Sequence, residues 1–124
     1  MHALVIEDQF LIATLIEEEL RELGYTTVTL CDSEEHAIAS AFEHRPHLIT
    51  ADNELSAGTG VDAVRAICAK RTIPVVFIVG NLNELNSPVP YSATVQKPFV
   101  GSQLRQAVSA AVQQAKEHGY LQSV

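Results

Sequence analysis

Five short apolar runs alternate with segments of helical character along this chain, and this alternation limits the folds that it can adopt. The runs are typical of buried strands and lie at residues 3–6, 26–30, 48–51, 75–79 and 93–96. A strand that follows a helical crossover pairs in parallel, and a parallel sheet needs helices on both faces. The sequence therefore predicts one α/β domain over residues 1–124, with a doubly wound, five-stranded parallel sheet.

The segments between the runs carry the apolar periodicity of helices. The first helix is predicted over residues 9–23, before the stop residue Gly24. Its apolar positions are Phe10, Leu11, Leu15, Ile16 and Leu20. Asp32 and Glu35 form a capping-box pattern that predicts the start of the second helix. The remaining helices are predicted over residues 61–70, within residues 80–90 around Leu82 and Leu85, and around Leu104, Val108 and Val112.

Composition and charge exclude several kinds of partner. The chain has 8 Lys and Arg residues against 15 Asp and Glu residues, and a nucleic acid partner would need a basic surface. No apolar stretch is long enough to span a bilayer, so no membrane partner is expected either. Cys31 and Cys68 match no metal-ligand spacing, and no signal peptide precedes them. We therefore expect reduced thiols in a cytoplasmic protein.

Charged residues follow three of the predicted strands. Glu7 and Asp8 follow the first strand, Asp52 the third and Lys97 the fifth. The carboxyl ends of parallel strands meet at one edge, where such sheets bind their ligands. Carboxylates held close together need a cation, and oxygen ligation with open positions suits Mg²⁺. Asp52 is then a candidate nucleophile for a phosphoryl group, with Lys97 as its phosphate-binding ammonium.

Each of these residues also has an ordinary structural interpretation. Asp52 could form the turn after its strand, and Glu7 could be a carboxylate favoured near a helix N-terminus. Lys97 could be a solvated lysine at a strand end. The glycine-rich segment SAGTG lacks the lysine of a phosphate-binding P-loop and is predicted to be an ordinary loop. It is the joint placement of the charged residues that favours a functional site.

The ordered set Glu7-Asp8, Asp52 and Lys97-Pro98-Phe99, over five β/α units, resembles the receiver domain of two-component response regulators. The resemblance extends from residue 3 to about residue 112. It implies a flavodoxin-like sheet with strand order 2-1-3-4-5 and Asp52 as the phosphoacceptor. The segment RPHLITADNELSAGTGVDAV, at residues 45–64, is similar to receivers of the alphaproteobacterial general stress response.

The resemblance also implies a role for each site residue. Mg²⁺ would be held by Asp8, Asp52, the backbone carbonyl of Glu54 and, through water, Glu7, while Lys97 would contact the phosphoryl oxygens. The Lys97-Pro98 bond would be cis. Such a protein is not an enzyme in the ordinary sense, because it catalyses only its own phosphorylation and dephosphorylation.

Two positions depart from the family pattern. Receivers usually end the fourth strand with a Thr or Ser whose hydroxyl turns to the phosphoryl group, and here that residue is Val79. Three residues before the lysine the family usually has an aromatic side chain that moves with the hydroxyl, and here it is Thr94. Tyr91 lies further back, and whether it substitutes stays open. We therefore expect an atypical switch.

The implied partners are proteins. A sensor histidine kinase or a phosphotransfer protein would supply the phosphoryl group, and a downstream protein would bind the fourth helix, the fifth strand and the fifth helix. We expect a stand-alone receiver, since no DNA-binding or enzymatic domain follows the terminal helix.

Two alternatives to this function remain. One is a receiver-fold binding module that signals little or not at all through phosphorylation. The other is an Mg²⁺-dependent phosphatase with an Asp nucleophile. The phosphatase is disfavoured, because Glu54 stands where such enzymes carry a second Asp and because their nucleophile lies on the first strand.

Overall fold

The computed structural model describes residues 1–55, 57–81 and 91–117, and it confirms the predicted α/β fold. Within these residues the strands of one sheet are β1 (His2–Ile6), β2 (Thr27–Cys31), β3 (Leu48–Asp52), β4 (Val75–Val79) and β5 (Ser92–Gln96). Their order is β2-β1-β3-β4-β5, and every neighbouring pair is parallel. The carboxyl ends of the strands therefore lie at the same edge of the sheet.

The helices of the described residues are α1 (Phe10–Glu22), α2 (Glu34–Glu43), α3 (Gly60–Cys68) and α4 (Gly101–Glu117). Helix α4 is the terminal helix that the sequence predicts as the fifth. The helix predicted around Leu82 and Leu85 lies outside the described residues. None of the helices in the described ranges is long and apolar enough to cross a membrane.

Alternate side chains of the central strands pack into two separate cores. Ala3 and Val5 of β1 lie in a core that α1 and α4 cover. Leu4 and Ile6 lie in a second core on the opposite face, under α2 and α3. Successive side chains of a strand point to opposite faces, so a strand buried on both faces has to be apolar at nearly every position. This requirement explains the continuous apolar runs of the sequence.

The start of α2 differs from the prediction by one residue. Ser33, not Asp32, is the N-cap: its backbone is extended, and its Oγ accepts a hydrogen bond from His36 N at 3.2 Å. Asp32 lies outside the helix, where its carboxylate is 3.7 Å from Nδ1 of His36. Both Ser and Asp are favourable N-cap residues, so the residue types alone did not separate two adjacent candidates.

Helix α1 leaves much of its apolar surface uncovered. Of the apolar positions that predicted this helix, Ile16 and Leu20 are buried, and Ala13 completes the buried face. The others are exposed, at 71% for Phe10, 76% for Leu11 and 59% for Leu15. These residues, Phe10, Leu11 and Leu15, are called the α1 patch below. An exposed apolar patch of this kind commonly marks a surface that binds another protein.

Candidate functional site

Four charged side chains meet at the carboxyl edge of the sheet, as the sequence predicts. Glu7 and Asp8 follow β1, Lys97 follows β5, and Asp52 is the last residue of β3 rather than the first residue after it. An open depression of about 260 Å³ lies between three of them, Asp8, Asp52 and Lys97. It is lined by Asp8, Gln9, Asp52, Glu54, Leu55 and Lys97.

Asp52 is held by two hydrogen bonds on the floor of this depression. Its Oδ2 accepts from the ammonium of Lys97 at 2.8 Å, and its Oδ1 accepts from the backbone N–H of Glu54 at 3.0 Å. Only 3% of the residue is exposed. Charge-assisted hydrogen bonds of this kind fix the carboxylate in place, which makes it a candidate nucleophile.

The side chain of Glu7 is fully buried and keeps one oxygen without a hydrogen-bond partner among the described residues. Its Oε2 accepts from the backbone N–H of Gln9 at 3.1 Å. Its buried Oε1 makes no hydrogen bond among the described residues, although Lys97 Nζ is 3.7 Å away. Burial raises the pKa of Glu7 to about 7, and the neighbouring Asp52 carboxylate adds to the rise. The hydrogen bond from Gln9 N–H and the charge of Lys97 oppose it.

The carboxylates are close enough together to share one cation. Glu7, Asp8 and Asp52 each offer an oxygen, and these oxygens all lie within 4.8 Å of one another. A hard ion with oxygen ligands, such as Mg²⁺, fits this donor set, and a water bound to the ion would satisfy the free Oε1 of Glu7. Glu54 lines the same depression. The predicted ligation by its backbone carbonyl and the water bridge to Glu7 stay predictions.

Lys97 is tied to the site through its backbone as well as its side chain. Its N–H donates to the carbonyl of Val79 at 2.8 Å, which joins it to the end of β4. The Lys97-Pro98 bond is cis, as expected. Burial alone would lower the pKa of Lys97, but the hydrogen bond to Asp52 and the charge of Glu7 outweigh it and raise that pKa. The ammonium therefore stays charged where an incoming anion would need it.

Gly60 supports the phosphoacceptor candidate from the helix that follows it. A Cβ at this position would lie 2.0 Å from the backbone oxygen of Asp52, so only glycine allows α3 to begin so close to β3. The sequence reasoning missed this role. The pattern Thr59-x-x-Asp62, in which Oγ1 of Thr59 accepts from Asp62 N at 3.1 Å, marks the start of α3 and could have predicted Gly60 as its first residue, but not the contact with Asp52.

Glu34, the first residue of α2, holds the loop between Asp52 and α3. Its Oε1 accepts from Thr59 N at 3.2 Å, and its own N–H donates to the carbonyl of Ala57 at 3.3 Å. Gly58 packs against it with a φ of +81°, and a Cβ there would lie 2.6 Å from Oε1 of Glu34. Nothing in the local sequence pattern predicted this contact between α2 and the loop.

The two atypical switch positions lie in different surroundings. Val79 is fully buried at the end of β4 and offers no hydroxyl group. Thr94 is exposed on β5, where a large side chain would have to move inward to contact the core. Tyr91 precedes β5 with a φ of 59°, and its carbonyl accepts from Val75 N at 3.1 Å. The effect of these residues on switching stays a prediction.

A groove of about 520 Å³ adjoins the site between α1 and the segment that joins β5 to α4. Leu15 of the α1 patch lines one side, and Pro98 and Phe99 line the other. Lys97 borders both the groove and the depression over Asp52. We call it the α1 groove.

Comparison with known proteins identifies a family whose model matches most of this chain. The family model described as "Response regulator receiver domain" matches residues 3–109. The transcriptional regulatory protein PdtaR of Mycobacterium tuberculosis is 32% identical over 118 residues, which make up 92% of this chain and 58% of that protein. The phyllosphere-induced regulator PhyR of Methylorubrum extorquens is 33% identical over 113 residues, 88% of this chain and 42% of that protein. The chain thus spans about half the length of these relatives.

Solved structures agree with these relatives. The PhyR receiver domain of Erythrobacter litoralis has a TM-score of 0.81 and 27% identity, over 99% of this chain and 95% of that one. A sensor histidine kinase receiver domain from Pseudomonas aeruginosa has a TM-score of 0.77 and 28% identity, over 90% of this chain and 97% of that one. The latter crystal structure has a magnesium ion coordinated in its active site cleft.

Proposed function

Because the chain belongs to the response regulator receiver domain family, we propose that it accepts a phosphoryl group on Asp52 and signals through contacts with other proteins. One observation supports this function above all: the nearly buried Asp52 carboxylate lies 2.8 Å from an ammonium and within 4.8 Å of two further carboxylates. Receiver domains are signalling modules rather than classical enzymes. The transfer to Asp52 is the chemical step that the proposal requires.

In this transfer a carboxylate oxygen of Asp52 forms a bond to phosphorus. The bond from phosphorus to an imidazole nitrogen of the donor breaks, and its electron pair stays on that nitrogen. The donor is a phosphohistidine of a sensor histidine kinase or of a phosphotransfer protein. The ammonium of Lys97, which donates to Oδ2 of Asp52 at 2.8 Å, would donate to the phosphoryl oxygens as they approach. Mg²⁺ held by Asp8, Asp52, the Glu54 carbonyl and, through water, Glu7 would neutralise the added negative charge.

The proposed donor has to place its phosphohistidine against Asp52, so its binding surface has to border the depression. The α1 patch and the α1 groove satisfy this condition, because Lys97 lines both the groove and the depression. They also offer exposed apolar area, which a partner can cover with a gain in free energy. We therefore propose that the donor binds there.

The downstream partner is proposed to bind β5 and α4, together with the helix predicted around Leu82 and Leu85. Strand β5 pairs only with β4 and so forms one edge of the described sheet, with four of its five residues at least partly exposed. Its carboxyl end leads directly to Lys97. A partner on this surface would therefore detect a change at the site over a short distance.

The decisive test is phosphorylation by a small phosphodonor. Wild type, Asp52→Asn and the control Asp62→Asn, which changes an exposed acid on α3, are treated with acetyl phosphate and Mg²⁺. Intact-mass spectrometry should find one added phosphoryl group on wild type and on the control, and none on Asp52→Asn. A phosphoryl group that persists on Asp52→Asn, or a wild type that stays unmodified, would show that the assignment is wrong.

The binding module with little phosphorylation signalling remains as a second candidate, and one observation favours it. The buried Val79 offers no hydroxyl for a phosphoryl oxygen, and Thr94 is exposed. Backbone amide NMR shifts distinguish the candidates once Asp52 is modified. Shift changes that reach β5 and α4 support the phosphorylation-dependent function, whereas changes confined to the residues around Asp52 support the binding module.

A further inference from the structure

A second groove lies between α2 and α3, at the end of the domain opposite Asp52. It has a volume of about 120 Å³. Phe42, Arg45, Ile67, Lys70, Arg71 and Ile73 are among the residues that line it. We call it the basic groove, because its lining includes three cations and no carboxylate.

The three cations of the basic groove have no carboxylate partner among the described residues. Three cations elsewhere in the described residues do have one. Arg21 pairs with Glu17, Arg105 with Glu19, and Lys97 with Asp52 and Glu7. By contrast, the cations of the basic groove make no ion pair with any carboxylate in the described parts of the chain. In a protein of net charge −7, three such cations around one small groove form a local site of positive charge.

The groove also has an apolar part. Phe42 is 66% exposed at its mouth, and Lys70 Nζ lies 6.0 Å from the centre of the Phe42 ring. Ile67 and Ile73 are buried residues of the core beneath. A large, exposed aromatic side chain next to free cations is the composition of a protein-binding hot spot.

We propose that the basic groove binds an acidic segment of a partner protein, with one apolar side chain of that segment against Phe42. Its carboxylates would accept hydrogen bonds from Arg45 and Arg71 and pair with Lys70. The volume decides the class of occupant: about 120 Å³ is well below the 300–1,000 Å³ of sites for drug-sized ligands, so the cavity fits a single side chain. A nucleic acid is disfavoured, because the rest of this acidic chain would repel its phosphates.

The test uses a short synthetic peptide of glutamates around one central leucine, titrated into the full chain. Methyl and amide NMR shifts report the binding at Ile67, Ile73 and Phe42. The matched peptides carry glycine in place of leucine, or lysines in place of glutamates, and inorganic phosphate is titrated separately. We expect shifts at the basic groove with the glutamate–leucine peptide and weaker binding of the others.

Substitutions show which part of the groove does the binding. Arg45→Glu and Arg71→Glu should each weaken the peptide by about tenfold or more, the effect of about 1.4 kcal/mol. The control Arg65→Glu reverses an exposed α3 cation that does not line the groove. It should change the affinity for the peptide by less than about twofold, because a distant surface charge is screened by salt. In the Phe42→Ser variant, replacing the peptide leucine by glycine should weaken binding little further. The reason is that Phe42 and the peptide leucine would contact each other, so removing either one already removes their interaction.

Several results would overturn the proposal. Equal weakening by Arg65→Glu would show that only net charge matters, and phosphate shifts as strong as those of the peptide would show a simple anion site. If the chain without peptide self-associates, and Arg71→Glu abolishes this, the occupant is a second copy. Absence of any shift at Ile67 and Ile73 at peptide concentrations of about 1 mM, near the limit of weak binding, would exclude the site.

Discussion

The ammonium of Lys97 lies 2.8 Å from Oδ2 of Asp52, and it is the one Lys or Arg side chain in the described residues that pairs with the acidic cluster at the carboxyl edge of the sheet. This pair holds the Asp52 carboxylate in a nearly buried position, next to Glu7. Breaking a buried pair by removing one partner leaves the other charge uncompensated. The geometry therefore makes Lys97 important for the stability of the free domain, in addition to the phosphoryl contact proposed for it.

Lys97→Gln should lower the free energy of unfolding by roughly 1–3 kcal/mol in the absence of Mg²⁺, because uncompensated carboxylates remain. Since Lys97 is 26% exposed, the loss should fall short of that for a fully buried pair. Urea unfolding measures it, and Mg²⁺ should restore part of it. Lys116→Gln, an exposed lysine of α4, serves as the control and should stay within about 0.5 kcal/mol of wild type. Equal losses in both variants would contradict the prediction.

Glu7 should make the stability of the metal-free protein depend on pH. Its folded pKa of about 7 is above the ordinary 4.5, so between these values the folded state binds more protons than the unfolded chain. The free energy of unfolding should therefore decrease as the pH rises from about 4.5 to about 7, by at most about 3 kcal/mol.

Glu7→Gln removes this titration and should flatten that part of the pH profile. Urea unfolding from pH 5 to pH 8 (roughly the titration range of a carboxyl shifted this far) measures the difference between variant and wild type. Glu22→Gln, at an exposed position of α1, should leave the profile unchanged. A variant profile parallel to that of wild type would show that Glu7 titrates normally.

Mg²⁺ should stabilise the wild type through the acidic cluster. At a concentration of about 100 times the dissociation constant, a ligand that binds only the folded state adds about 2.7 kcal/mol. Asp8→Asn removes one of the three carboxylates and should abolish most of this gain. Asp32→Asn, which changes an exposed acid outside the cluster, should keep it. Thermal unfolding with and without Mg²⁺ compares the variants, and a full response of Asp8→Asn would place the ion elsewhere.

Gly60→Ala should disturb Asp52, because the new Cβ would lie 2.0 Å from its backbone oxygen. We expect a loss of about 1–3 kcal/mol in the free energy of unfolding and slower uptake of phosphoryl groups from acetyl phosphate. Gly24→Ala is the comparison, because a Cβ there meets nothing within 4 Å while its φ of +106° strains the backbone. That variant should lose stability and still be phosphorylated at the wild-type rate. If both variants are phosphorylated normally, Gly60 does not position the acceptor.

Val79→Thr should increase the conformational response to phosphorylation. A hydrogen bond to a charged group contributes roughly 1.5–3 kcal/mol, and reversing a two-state equilibrium from 1:99 to 99:1 takes about 5.5 kcal/mol. The restored hydroxyl would therefore supply a sizeable share of the coupling. The free variant should be less stable, because Val79 is fully buried and the hydroxyl gains no assured partner.

The matched control is Val75→Thr, which makes the same chemical change at the other, equally buried end of β4. NMR shifts with and without a phosphoryl mimic measure the response of each variant. Val79→Thr should show larger changes than wild type and Val75→Thr should not. An unchanged response in Val79→Thr would show that Val79 does not limit the response. The coupling would then depend on Lys97 or on the loop after Asp52.

The sequence was sufficient for the strand ends but not for the contacts between distant elements. Because the strands are parallel, the residues at their carboxyl ends have to lie at the same edge of the sheet. The proximity of Asp52 and Lys97 could therefore be predicted from the sequence alone. The contact of Glu34 with Thr59 could not, since it joins two elements whose distance no local pattern encodes. The apolar periodicity of α1 predicted the helix but not which of its apolar residues are buried. Leu15 fits the same periodicity as Ile16 and Leu20, yet it lies outside both cores.

Two hydrogen bonds of Glu34 join the loop between Asp52 and α3 to the first turn of α2. Helix α2 is about 15 Å long, at 1.5 Å per residue. The loop is hydrogen-bonded to its first residue, and Phe42 of the basic groove lies near its last residue. A tilt of helix α2 would move both of its ends. If the proposed phosphoryl uptake at Asp52 changed the affinity of the basic groove for an acidic segment, a bound segment would change the equilibrium of that uptake by the same factor, because linkage between two sites is reciprocal.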